Sequence, residues 1–383
     1  STIGMNPNLK PEKTSSIEAG FEAAFWDNRL CLDFTYYKTD SRNQILKLAT
    51  TAASGYTSQV RNAGHIRNRG YEIQLGAVPI QTSKGFRWNL DLNYGANSSK
   101  VVKLDDEGLI TSYQLYSSGI QILASVGEAY GTLFGTSYVR DANGNVVVDA
   151  NGLPKISTTN KTLGKFTPDW TGGISNTFSY RSLSLSFLID ASVGGSIFSN
   201  TNKTGKYTGV LANTLSGRDA EHGGLWYYTD AMGNNVRLSE SPSYSVSSDG
   251  LYYAQVNGQS TRVYQDGIMV EGVTESGSKN EEVVSAEKYY HRIYSIAEAN
   301  VYDASYVKLR EVALSYRLPR LWTQKLHLQE ASVTLTGRNL WTIYKSVPNI
   351  DPESALTTGN AQGVEAYSLP TTRSFGVNLS VKF

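Results

Sequence analysis

The chain has 383 residues, 40% hydrophobic and only 18% charged, with 25 Tyr, 35 Gly and a formal net charge of +1. Near-neutrality gives no reason to expect nucleic acid or an acidic partner, and a single cysteine, Cys31, leaves no intrachain disulfide or thiolate metal cluster. No run of about 18 apolar residues is present, which rules out a transmembrane helix but not a transmembrane barrel.

In chain order, residues 1–11 read as a loop with two prolines, and nothing at the start resembles a signal peptide. Ile17, Ala19, Phe21, Ala23 and Phe25 then alternate with polar or small residues, the mark of a strand with two unlike faces. Asp27-Asn28 is a tight turn, and Leu30, Leu32, Phe34 and Tyr36 return. A polar connection rich in Ala, Thr and Ser runs to about Arg67. Tyr71, Ile73, Leu75 and Ala77 form the next strand, and a short turn leads to Phe86, Trp88, Leu90, Leu92 and Tyr94. A connection of roughly 65 residues follows, far above the usual loop length. It holds two turns, Asp141-Ala-Asn-Gly and Asp149-Ala-Asn-Gly, expected to frame a small hairpin around Val146–Val148. Trp170 to Tyr180 and Leu183 to Ala191 are strands joined at Arg181. A second insertion of roughly 105 residues reaches about Tyr302. Val312, Leu314 and Tyr316 are out of phase with Val307 and Leu309, which predicts a bulge near Arg310. Val333 to Ile343 is a further strand. The chain closes on Phe375, Val377, Leu379, Val381 and Phe383, alternating to the last residue.

The reading is all-β, with about eight long strands whose connections run short, long, short, long to the end. Short turns at one end of every hairpin and long loops at the other fit a transmembrane antiparallel barrel; a soluble sandwich has no reason to sort its loops so. The long loops fall at about 47–66, 102–167, 194–301 and 344–370. Trp26, Tyr36, Tyr94, Trp170, Tyr180, Tyr316, Trp341, Tyr344 and Phe383 sit near strand ends, as aromatic girdles at two lipid interfaces would.

Several stretches carry a family resemblance. N-P-N-L-K-P-E at Asn6 to Glu12 with the following S-S-I-E-A-G-F-E resembles the opening of the C-terminal barrel half of TonB-dependent outer-membrane transporters. D-A-S-Y-V-K-L-R-E-V-A-L-S-Y-R-L-P at Asp303 to Pro319, L-T-G-R-N-L-W at Leu335 to Trp341, the hairpin V-R-D-A-N-G-N-V-V-V-D-A-N-G-L-P, L-G-K-F-T-P-D-W and the terminal Phe383 look like the SusC/RagA branch. The resemblance implies a 22-stranded barrel in the outer membrane of a Gram-negative bacterium, C-terminus periplasmic, plugged by an N-terminal domain. It implies import of oligosaccharides or peptides, force from TonB and a SusD-like surface lipoprotein as partner. The chain lacks the plug and TonB box and is read as the C-terminal part of the barrel, with Ser1 in an extracellular loop. The rival readings are a self-contained small barrel with an adhesive or structural role and a soluble all-β glycan-binding module.

Catalytic patterns are absent from the sequence, so the reading is not an enzyme, and no cofactor is called for. His65, His222, His291 and His327 have no ligand spacing, and the D-x-N-G turns lack the remaining calcium ligands. Candidate binders are the loop aromatics Trp226, Tyr227, Tyr228, Tyr252 and Tyr253, whose faces suit sugar rings or peptides; packing of the loop on itself or on a lid is the competing reading. Tyr289 and Tyr290 repeat the theme. By strand parity Arg29, Asp33, Glu72, Arg87, Asp91 and Arg338 face the lumen, touching cargo or plug or one another.

Overall fold

The computed structural model describes residues 3–4, 6–49, 58–105, 108–325 and 327–383. The Ala/Thr/Ser-rich stretch at 50–57 and Ser1 lie outside the described residues. One long antiparallel sheet dominates, formed by nine strands in simple chain order. They are β1 (Lys13–Phe25), β2 (Leu30–Arg42), β3 (His65–Gln81), β4 (Phe86–Lys103), β5 (Trp170–Tyr180), β6 (Leu183–Val193), β7 (Tyr306–Arg317), β8 (Glu330–Lys345) and β9 (Ser374–Lys382). Eight alternating connections separate nine strands, so the sequence count of about eight is one low. Every short connection lies at one end: 26–29, 82–85, 181–182 and 318–329. At the first, Trp26, Asp27 and Asn28 take left-handed φ of 52°, 53° and 63°, tolerated by Asp and Asn. The fourth is more than a turn, holding the short helix Arg320–Lys325.

Register makes the two faces unequal. The row Phe21–Phe34–Ile73–Tyr94 crosses β1 to β4 with outward parity, and many apolar side chains of that face remain exposed, among them Ile17, Leu185, Leu335 and Val377. An apolar face that large is expected against lipid, not water. Tyr94, Trp170 and Tyr71 pack together at the upper end, and Trp88, Phe178 and Phe187 stack at the lower. Trp170 to Tyr180 is eleven residues; about ten rises of ~3.3 Å at a tilt near 40° give about 25 Å of bilayer. Asn176, the polar residue in this belt, accepts a hydrogen bond from the Trp88 indole at 3.0 Å.

Two strands are taller than their alternation indicates. β3 begins at His65, not Tyr71, and β4 continues to Lys103. Above the upper girdle the outward face turns polar and the other packs under the long connections, with Val101 buried against Leu104 and Ala124, so the lipid-facing alternation is lost while the hydrogen-bond ladder continues. The bulge expected near Arg310 is present: the register shifts between Leu309 and Glu311 against β8 and opposite Leu188/Ile189 on β6.

The buried apolar clusters gather in the long connections, which fold into their own small sheets. Lys161–Lys165, Tyr130–Gly135, Gln121–Ser125 and Ser112–Ser117 form a four-stranded one. The 194–305 connection holds a six-stranded sheet and helices α1 (Asn200–Thr208) and α2 (Ala286–Tyr294). The D-x-N-G segments are two successive tight turns, closed by Arg140↔Val146 and Val148↔Pro154 bridges. Asp141 and Asp149 accept hydrogen bonds from their own turn amides at 2.8–3.1 Å.

Candidate functional site: an inward wall under a stitched roof

The face opposite the apolar belt carries Glu22, Asp33, Gln74 and Asn93 in one cross-strand row and Cys31, Gly76, Asp91 and Ser175 in the next. These rows line a concave groove of about 780 Å³. Asp33, Glu72 and Asp91 thus stand on the inward face with Glu22, and none of the four forms an ion pair among the described residues. Arg87 donates to Asn89 at 2.8 Å, and Arg338 pairs with Glu311 at 2.8 Å across β7 and β8. Arg29, expected on the same face, is engaged by backbone carbonyls of β3. Its guanidinium donates to the carbonyls of Val78 and Pro79 at 2.9–3.2 Å, closing the short-turn end. Val78 and Pro79 lie where the register of β3 shifts between Ala77 and Ile80, and a guanidinium beside such carbonyls is drawn to them.

Higher on this wall the bulge turns an extra cation inward. Lys308, only 3% exposed, donates to Asp351 at 2.6 Å and Glu353 at 2.5 Å. Arg310 grips Asp190 through Nε and Nη2 at 2.8 and 2.6 Å and also pairs with Glu353. Thr371 donates to the other Asp351 oxygen at 2.5 Å. Burial alone raises the Asp351 and Glu353 carboxyls, but hydrogen bonds from the cations outweigh it and hold both below the usual carboxylate range. This cluster fixes the last long connection to the wall. Sequence reasoning missed it; the available signal was two cations, Lys308 and Arg310, where strand phase broke.

A second carboxylate ties the roof together. Glu365, 0% exposed, accepts from the Ser199 and Thr201 hydroxyls at 2.7 and 2.6 Å and from the Ser368 amide at 3.1 Å. It lies at the N-terminus of α1, where the helix dipole favours a negative charge. Further links join different connections: Arg140–Glu298 at 2.9 Å, Arg292–Asp149 at 3.0 Å, Lys155–Glu275 at 2.7 Å, and Tyr130 Oη to Asn360 at 2.9 Å. Lys206 donates to the Ala299 carbonyl and to Asn300, and its burial pulls the ammonium down to about 8.

The loop aromatics require a correction. Trp226 and Tyr227 are 7% and 4% exposed; Trp226 lies in the apolar cluster of the six-stranded roof sheet with Ala254 and Val263, and Tyr227 is buried against other partners. Trp226 packs on Tyr244 and Tyr252; Tyr227 stacks on Tyr264 and donates to Asp266 at 3.1 Å. They are the loop's own packing, and no ligand reaches them without opening that sheet. Tyr252 leans edge-on against Trp226, while Tyr228 and Tyr253 are half-exposed. Tyr289 and Tyr290 pack on each other on α2.

A sheet apolar outside, polar and acidic inside, short-turned below and heavily looped above is the wall of an outer-membrane barrel. Residues 1–208 match the family model described as TonB dependent receptor-like, beta-barrel, and the chain belongs to that family. Within it the chain is SusC/RagA-like. It is 27% identical to TonB-dependent receptor P3 of Formosa agariphila over 99% of this chain and 35% of the relative. It is 23% identical to TonB-dependent receptor SusC of Bacteroides thetaiotaomicron over 99% of this chain and 32% of that one. The fold also matches the solved structure of the RagAB peptide transporter, with a TM-score of 0.62 and 20% identity over 99% of this chain and 36% of that chain. The chain therefore spans about a third of the length of the relatives it matches.

Proposed function

We propose that this chain forms wall and roof of a TonB-dependent importer that carries oligosaccharides or peptides across the outer membrane. The missing wall, a plug and its TonB-contacting segment come from outside the chain, and a SusD-like lipoprotein covers the roof. The observation that carries this reading is the sheet itself. It has opposite faces for lipid and water, and its edge strands β1 and β9 do not pair with each other. Open edges in lipid are not viable, which favours a larger barrel over a self-contained small one. On this reading the short-turn end and the C-terminus are periplasmic. The work is binding and passage without covalent chemistry. Cargo or plug meets the inward acidic rows, and cargo meets the half-exposed Tyr228 and Tyr253. The test is uptake of labelled oligosaccharide and peptide pools by cells expressing the full-length receptor, with and without TonB. Accumulation that needs both receptor and TonB is expected; accumulation indifferent to TonB would overturn the proposal.

A further inference from the structure

The outward face changes character just above the upper tyrosines. Tyr36 and Tyr71 face each other on β2 and β3. Two residues higher Lys38 faces Arg69, with Ser98 beside them on β4; two higher again Arg67 faces Lys100. Like charges directly opposite destabilise a strand pair, so these two rows call for an anion. Asp40 supplies part of it, accepting from Arg67 at 2.9 Å and bonding His65 at 2.5 Å. Lys38, Arg69 and Lys100 form no ion pair among the described residues. Two adjoining grooves of about 450 and 400 Å³ share Arg69 and Ser98. The first is floored by Tyr36 and Tyr71, with the Lys165–Asp169 pair at its side; the second runs past Lys100 to Glu128.

We propose that this patch is a binding site for the phosphorylated headgroup of an anionic outer-leaflet lipid. It rests on the reading that the outward face meets lipid. The order of the rows fits one such molecule. Phe21, Phe34 and Ile73 offer an apolar surface for acyl chains, the tyrosines lie at headgroup depth, and the cations stand where phosphates emerge. Arg69 presents a planar fork suited to bidentate phosphate contact, and Lys38 and Lys100 act as point charges on either side. A soluble phosphate would find the same cations but no use for the apolar rows beneath them.

The experiment uses the full-length receptor in detergent and native mass spectrometry, with diphosphorylated lipid A, its dephosphorylated form and inorganic phosphate as probes. The variant is Lys38→Gln/Arg69→Gln/Lys100→Gln; the control, Lys84→Gln/Arg320→Gln, removes charge at the short-turn end. Wild type and control are expected to retain diphosphorylated lipid A, and the triple variant to lose about a hundredfold in affinity. Dephosphorylated lipid is expected to bind all three alike and weakly. Equal retention by wild type and triple variant overturns the site. Displacement of lipid A by inorganic phosphate at matched concentration overturns the lipid assignment in favour of a free anion. Should the triple variant not fold, Arg69→Gln and Lys100→Gln singly carry the same comparison. Heat-modifiable migration, read in parallel, separates a failed patch from a failed membrane reading: without it in wild type, the membrane reading itself fails.

Discussion

Lys308 carries a charge in a place water barely reaches, and its two carboxylate partners come from a segment more than forty residues away. Removing one member of a buried pair is far worse than never having had the pair. Lys308→Met is therefore expected to destabilise docking of the 346–373 connection by about 3–5 kcal/mol, read as new proteolytic cuts there at temperatures where the wild-type loop resists. The same cluster sets a pH dependence. Asp351 and Glu353 are held below their ordinary values by the folded structure. Their contribution is thus full above the unfolded carboxylate range and is lost as pH falls through the lowered folded values. Protease sensitivity of this loop is expected to rise only on acidification below about pH 4, and not between pH 6 and 8. Lys206 has the opposite sign of interest. Burial pulls it down to about 8, so folding opposes its charged form, and packing around α1 is expected to tighten as pH rises from about 8 toward about 10.5. Lys206→Met, which keeps the packing and removes the charge, is expected to abolish that pH response in amide exchange of α1.

Neighbouring residues on a single strand separate lipid from lumen. Ile174 points outward at mid-belt and Ser175 inward beside Asp91. Ile174→Arg is expected to cost about 2–4 kcal/mol of barrel stability, against little for Ser175→Arg, measured by urea unfolding of the full-length receptor in detergent. The strands were legible in the sequence for this physical reason: where one face meets hydrocarbon and the other water, alternation is enforced. The bulge was legible too, as a break of phase at Arg310. The upper reaches of β3 and β4, His65 to Gly70 and Asn97 to Lys103, were not. There the outward residues Arg67, Arg69, Ser98 and Lys100 are polar, while Ile66 and Val101 on the other face are buried under the long connections, so the lipid-facing alternation is gone. The aromatic run at 226–228 announced a cluster, but its burial follows from pairing with Tyr252–Met269, a partnership that sequence spacing does not encode. The hydrogen bonds of Arg29 to the Val78 and Pro79 carbonyls are a local pairing that periodicity does not encode.

Taken whole, the sheet ends in two strands with unpaired edges among the described residues, and on the proposed reading further strands adjoin them. In the full-length receptor, amides of Lys13–Phe25 and Ser374–Lys382 are expected to exchange as slowly as those of β5. Exchange at loop-like rates would mean that these edges stay open. Above the membrane the architecture obeys a different logic. The links among Arg140 and Glu298, Asp149 and Arg292, Ser199 and Glu365, and Tyr130 and Asn360 tie segments that lie far apart in sequence. Each connection owes part of its shape to another, so a substitution in one is felt at an anchor in the next. Grafting a single connection from a relative strands the groups that its replacement no longer answers. On the proposed reading the three large connections therefore act as one unit, and a different cargo is met by exchanging them as a set.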